Sequence, residues 1–281
     1  MNSSESVPTL LHPGNDAPEA VEPATRRQLA RESAALGWKL FHRENPLRLL
    51  VLSVYVGQVC AVYFYTLLGR YTGGDTGEHY SYVGAVVISM TYMTVGFNTD
   101  VPLTDKWQGT YWRLSRSGFS PYGVFLCRTA PMVVHGVALM ILTAVVVGPL
   151  TEGVGAAMNL LRALPLMVVL TVLANFVGLA VVAPAIGTRY DVLTYNVATA
   201  VIQVFSLAYI PYGANAAVDT IGTVVPLRHG LGALRGWLDG GPWLGQLGLE
   251  AIVSAAWLVA GAFAYRFMDA RGRRTGVAAF R

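Results

Sequence analysis

Residues 101–122, VPLTDKWQGTYWRLSRSGFSPY, are the only long polar interruption in the first half of an otherwise very apolar chain. Asp105, with Gln108 three residues on, reads as a capping-box-like helix start, and Gly118 and Pro121 read as stop signals. Those bounds predict about three turns of helix. Within it Trp107, Tyr111 and Leu114 fall at i, i+4 and i+7, one apolar stripe, with Lys106, Gln108, Arg113 and Arg116 on other faces. A short basic amphipathic helix between two apolar segments is either an interfacial anchor or a docking element.

The flanking composition decides what kind of loop this is. Of 281 residues, 54% are hydrophobic and 13% charged, against about a quarter charged in soluble domains. The chain is therefore an integral membrane protein. Its net charge of +4 is small and scattered among apolar segments, which argues against nucleic acid as a partner. The two cysteines, Cys60 and Cys127, lie far apart in apolar segments and read as buried, inert thiols rather than a disulfide or zinc site.

Residues 1–25, rich in Ser, Pro, Glu and Ala, read as a disordered cytoplasmic tail with no signal peptide. Residues 26–46 follow as an amphipathic interfacial helix ended by Pro46, with Leu29, Leu36 and Leu40 on one side and Trp38 and Phe41 flanking. Residues 47–274 form the transmembrane domain, and residues 275–281 a cytoplasmic C-terminal tail. Six segments reach the length of about 20 residues that a bilayer requires: Leu47–Gly69, Tyr80–Phe97, Tyr122–Val147, Leu164–Ile186, Val192–Ile210 and Gly245–Phe267. With both termini inside, 16 basic residues fall on the cytoplasmic side and only Arg70, Arg162, Arg228 and Arg235 outside. That asymmetry fixes the orientation and places residues 101–122 in the cytoplasm.

The connections differ in character. AIGTRYDVL leaves a very short turn between the fourth and fifth spans. Pro211 to Pro242 is too long for a simple connection; Leu227, Leu231, Leu234 and Leu238 recur there at helical spacing, with Gly232, Gly236 and Gly240 on an adjacent face. This predicts a re-entrant or interfacial helix, the alternative being a glycine-rich surface loop. Tyr63, Tyr65, Tyr71, Tyr80 and Tyr82 read as an outer aromatic belt.

The sequence lacks a GxxxxGK[ST] phosphate loop, HExxH, CxxC and GxSxG, so the chain is expected to be no enzyme and to hold no metal or cofactor. Among the few ionisable residues within the spans are His135 in the third and Glu250 near the outer end of the sixth. Both carry a functional and a structural reading. Asn175, Asn196 and Gln203 are candidates for hydrogen bonding between helices.

The whole pattern resembles a type-2 ABC transporter permease, the exporter-type membrane subunit. Two stretches carry the resemblance: TDKWQGTYWRLSRSGFSPYGVFLCR, with Gly109, Thr110, Leu114 and Pro121 at the family's Gly-Thr, Leu and Ser-Pro positions, and VVPLRHGLGALRGWLDGG, with Pro226, Leu227, His229, Arg235 and Gly240. The family's Glu-Arg before the Gly-Thr is replaced here by Lys106 and Trp107, and Tyr111 and Trp112 follow it where an acidic residue is usual.

The resemblance implies an all-α polytopic fold of six transmembrane helices, with an N-terminal surface helix, a cytoplasmic coupling helix and re-entrant extracellular helices between spans five and six. It assigns Asp105, Lys106, Trp107, Thr110, Tyr111, Arg113 and Leu114 to coupling with an ABC ATPase, and Pro226, His229 and Arg235 to the re-entrant helix. It also implies a second permease chain, identical or homologous, with ATP and magnesium held on the partner ATPase. Val51, Tyr55, Gln58, Tyr92 and Gln203 become candidates to line a path for a small amphipathic cargo: a drug, an antibiotic or a lipid-linked glycan. The setting implied is a bacterial cell membrane. The alternative is a self-sufficient secondary transporter or membrane enzyme using His135 and Glu250.

Overall fold

The computed structural model describes residues 25–116, 119–186 and 191–275. Apart from Thr25 and Thr275, the two predicted tails lie outside these residues, as do Gly118 and most of the tight turn after Ile186. Every regular element among the described residues is helical.

Helix α1 spans Arg26–Glu44, as the amphipathic pattern predicts. Thr25 and Gln28 cap it reciprocally: the Gln28 amide donates to the Thr25 hydroxyl at 3.3 Å and the Thr25 amide to the Gln28 side chain at 2.9 Å. The face that packs is not the leucine face. Ser33, Gly37 and Phe41 are buried, whereas Leu36 is exposed. The reason is a close approach, since a Cβ on Gly37 would run into the backbone of Arg128.

The next helical run, Leu47–Trp107, is far too long for one span. Gly74, at φ 61° and ψ −151°, breaks it into α2, residues 47–73, and α3, residues 75–107. In an unbroken helix, residues eight apart lie about 12 Å apart. Here a Cβ on Gly69 or Gly77 would collide with the other residue's carbonyl, so the chain reverses into a hairpin. Arg70 and Glu78 pair across it at 3.6 Å.

A short helix α4, Tyr111–Arg116, follows. Helix α5, Pro121–Thr151, is interrupted at Thr129, and α6, Val154–Arg162, is a surface helix that the sequence pattern leaves unassigned. Then come α7, Leu164–Ile186; α8, Asp191–Phe205; α9, Ala216–Gly222; α10, Arg228–Leu238; and α11, Leu244–Thr275. Four described runs are long and apolar enough to cross a membrane, namely Leu47–Trp107, Pro121–Thr151, Leu164–Ile186 and the Leu244–Gly272 part of α11. The predicted fifth span is helical only as far as Phe205, because Leu207 turns the chain with φ 59°.

The main core joins α3, α5 and α7 through Tyr82, Val86, Met140, Val147, Met167 and Leu170. A buried polar relay crosses the same helices. The Asn98 amide donates to the Asn175 carbonyl and side-chain oxygens at 3.1 and 3.0 Å, and the Asn175 amide donates to the Thr129 hydroxyl at 2.9 Å. Asn175 thus bonds helix to helix, while Asn196 is exposed.

The predicted tyrosine belt divides. Tyr63 and Tyr71 are exposed, but Tyr82 is buried with its hydroxyl on the Ala144 carbonyl, Tyr80 bonds the Leu207 and Ile210 carbonyls, and Tyr65 stacks on Tyr209. Cys60 is exposed on its helix rather than buried, beside the exposed Val56, Tyr63 and Phe64, and both cysteines are free.

Candidate functional site

The polar stretch at residues 101–122 is two helices and a sharp turn rather than one helix. Helical geometry runs on from α3 through Asp100 to Trp107, so Asp105 lies in a last turn and caps nothing. The chain stops at Gly109, φ 67°. There the Gly109 amide donates to the Lys106 carbonyl at 3.2 Å and the Thr110 amide to the Asp105 carbonyl at 2.9 Å, the paired bonds of a Schellman stop. The break destroys the predicted stripe. Tyr111 is buried and stacks on Phe125, Leu114 is half-buried, and Trp107 is exposed on the far side of the turn.

What remains is a rigid turn fastened from behind. Asp105 pairs with Arg128 of α5 at 2.6 Å, both side chains being nearly buried, and the Thr110 hydroxyl donates to the same carboxylate at 3.2 Å. Lys106 donates to the Ala185 carbonyl at 2.8 Å, meeting the C-terminal carbonyls of α7 where a cation is favoured. The Ser115 hydroxyl donates to Asp269 of α11 at 3.1 Å. Beneath them Leu103, Tyr111, Phe125, Leu179, Ile186 and Tyr265 form a separate core.

The outward face is made by different residues. Trp112 is exposed, and the guanidiniums of Arg113 and Arg116 lie 5.6 and 5.5 Å from the centre of its ring. A net positive, aromatic surface with a fixed backbone suits an acidic or aromatic groove on another protein. Trp112 was legible in principle, since Trp112 and Arg116 stand at i, i+4 on one helical face.

The remaining candidates separate into three places. Tyr55 reaches the His135 Nδ1 at 2.6 Å, and the His135 Nε2 lies 3.3 Å from the His42 Nε2 of α1. The direction of this chain is set at its end. The His42 Nδ1 lies 2.9 Å from the Trp38 carbonyl, which can only accept. With neutral rings, His135 therefore donates to His42 and Tyr55 donates to His135. Val51 is exposed, Gln58 and Gln203 are half-buried, and Tyr92 lines a cavity with Tyr195.

At the opposite end, α10 is the predicted leucine-striped helix, with Leu227, Leu231 and Leu234 buried. The glycine that makes its close contact is Gly230, which abuts Leu170, rather than Gly232 or Gly236. Glu250 of α11 is fully buried and accepts from the Leu227 and Gly230 amides at 2.8 and 2.9 Å, a carboxylate seated on a helix N-terminus. Arg235 donates to the Leu207, Ala208 and Tyr80 carbonyls at 3.0–3.1 Å and lies over the Tyr80 ring. His229 contacts Gln246 and the Thr223 carbonyl, and Pro226 is buried. His135 and Glu250 have no partner in common and are not brought together.

Comparison with protein families matches residues 37–238 to the family described as ABC-2 type transporter. No curated protein and no solved structure gives a significant match. The match runs from inside α1 to the end of α10 and takes in the fastened turn, the hairpin and the anchored helix. The chain belongs to the ABC-2 type transporter family: it is a multi-pass membrane protein and a transmembrane permease of an ABC transporter.

Proposed function

We propose that this permease exports a small amphipathic molecule by alternating access, driven by ATP hydrolysis on a separate ATPase subunit that docks on α4. The observation that carries the reading is the contrast across that turn. Asp105, Lys106, Thr110, Tyr111 and Ser115 bind inward, while Trp112, Arg113 and Arg116 are left outward on a backbone fastened by those contacts. A surface that must transmit a push benefits from such rigidity.

On this reading six spans, α2, α3, α5, α7, α8 and α11, cross a bacterial cell membrane with both termini in the cytoplasm. The arginine distribution supports that orientation. Helix α10 is the re-entrant element on the outer side. A second permease chain, identical or homologous, completes the path, and ATP and magnesium reside on the ATPase. Exposed apolar residues along α2 and α8, among them Val51, Leu52, Phe64, Leu193 and Val197, support a face that a second chain or lipid covers.

The test is affinity purification of the tagged chain from its native membrane. Recovery of an ABC ATPase whose hydrolysis changes on release of the permease is the expected result; a chain that purifies without one and transports alone would overturn it. The self-sufficient reading gains no support from His135 and Glu250, each of which is engaged separately.

A further inference from the structure

The cytoplasmic half of α3 does not run as a regular α-helix. Tyr92–Gly96 forms a π-helical turn and Phe97–Thr99 a 3₁₀ turn. Such local changes of pitch re-aim side chains and are frequent at functional sites. Here they open a cavity of about 210 Å³ toward α8. Four aromatic rings line it: Tyr92, Phe97, Trp107 and Tyr195. Tyr92 and Phe97 meet edge to face at 5.8 Å, and the Tyr195 ring lies against Gly96, where a Cβ would come within 3.2 Å of it. Into the same cavity comes a carboxylate, Asp100, and among the described residues no Lys, Arg or His lines the wall. The nearest basic residue along the helix, Lys106, is turned away to the Ala185 carbonyl.

Aromatic faces carry negative potential, and a carboxylate among them adds to it. That combination attracts a weakly hydrated cation and repels an anion. A small inorganic ion would lose more hydration than these few oxygens replace, whereas a tetraalkylammonium group brings its own apolar surface. We propose that the cavity between α3 and α8 binds the head of an amphipathic organic cation, a quaternary ammonium on an apolar body, with Asp100 as counter-ion and Tyr92, Phe97, Trp107 and Tyr195 as the cage. The assignment of that cation as cargo rests on the permease reading and narrows its substrate class.

The probe is radiolabelled benzyltrimethylammonium, measured by equilibrium dialysis against the full-length chain in phosphatidylglycerol nanodiscs, with benzenesulfonate as the anion of similar size. Saturable binding of the cation and none of the anion is expected. Asp100→Asn should weaken it about tenfold or more, Asp100→Glu should largely preserve it, and Tyr195→Leu should weaken it more than Tyr195→Phe. No saturable binding, equal binding of the anion, or an unchanged Asp100→Asn variant would overturn the proposal. The wild-type comparison of cation with anion needs no variant to fold. Loss of binding when phosphatidylcholine replaces the lipid would assign the site to a lipid headgroup and overturn its role for cargo. The assay uses no ATPase: a failure here with ATPase association intact removes this inference alone, and binding without any associated ATPase removes the permease reading alone.

Discussion

The Asp105 and Arg128 side chains are only 12% and 13% exposed, so each is the other's main compensation for lost hydration. Removing one partner of such a pair costs about 3–5 kcal/mol, while replacing both by apolar residues costs far less. Arg128→Met should therefore lower thermal stability in detergent sharply, and adding Asp105→Leu should recover much of the loss. A double variant no better than the single one would contradict the pairing. His79, on the hairpin between α2 and α3, behaves differently. Its bond to Glu152 at 2.5 Å raises its pKa above the ordinary value, the hydrogen bond outweighing the effect of burial. A raised folded-state pKa means that the contribution is fully present below about pH 6.5 and fades as pH rises through the folded value. Because His79 is half exposed, the gain should stay below about 1 kcal/mol. Melting temperature should drift down across that window in the wild type, and His79→Gln should flatten the drift.

Among the elements, α1 and α10 show what sequence can and cannot carry. The bounds of α1 and the leucine face of α10 were legible because capping residues and 3.6-residue periodicity are local properties. The buried face of α1 was not, since Gly37 matters only through the Arg128 backbone that it meets. Likewise Asp105 looked like a cap because nothing in residues 101–108 announces that helix α3 has not yet ended, and its true partner stands 23 residues away. Gly109, which the resemblance places in a Gly-Thr pair, is the stop itself. Gly37→Val should detach α1, raising hydrogen exchange along Arg26–Glu44 while the spans stay protected. On α10, Glu250→Leu strands two buried amides at about 1–3 kcal/mol each. Glu250→Gln, which keeps one acceptor, should lose roughly half as much by thermal melting.

For the whole molecule, a fastened turn at one end and an anchored helix at the other are joined by the packed α3, α5 and α7. Helix α3 contributes to both ends: Tyr80 meets Arg235 at one, and Asp105 meets Arg128 at the other. On the proposed reading, this continuity is the route by which docking on α4 would reach the spans. Substitution of exposed residues should then separate docking from folding. Tyr111→Ser should damage the core under the turn, because Tyr111 is 1% exposed. Trp112→Ser with Arg113→Ser and Arg116→Ser should leave the chain folded but remove a contact of at least about 2 kcal/mol. The most direct measurement is ATP hydrolysis by the associated ATPase, reconstituted in nanodiscs with the wild-type permease and with that triple variant. The account predicts that permease-dependent modulation of hydrolysis falls at least about tenfold in the triple variant while its melting temperature is unchanged; full modulation by a folded triple variant would contradict it.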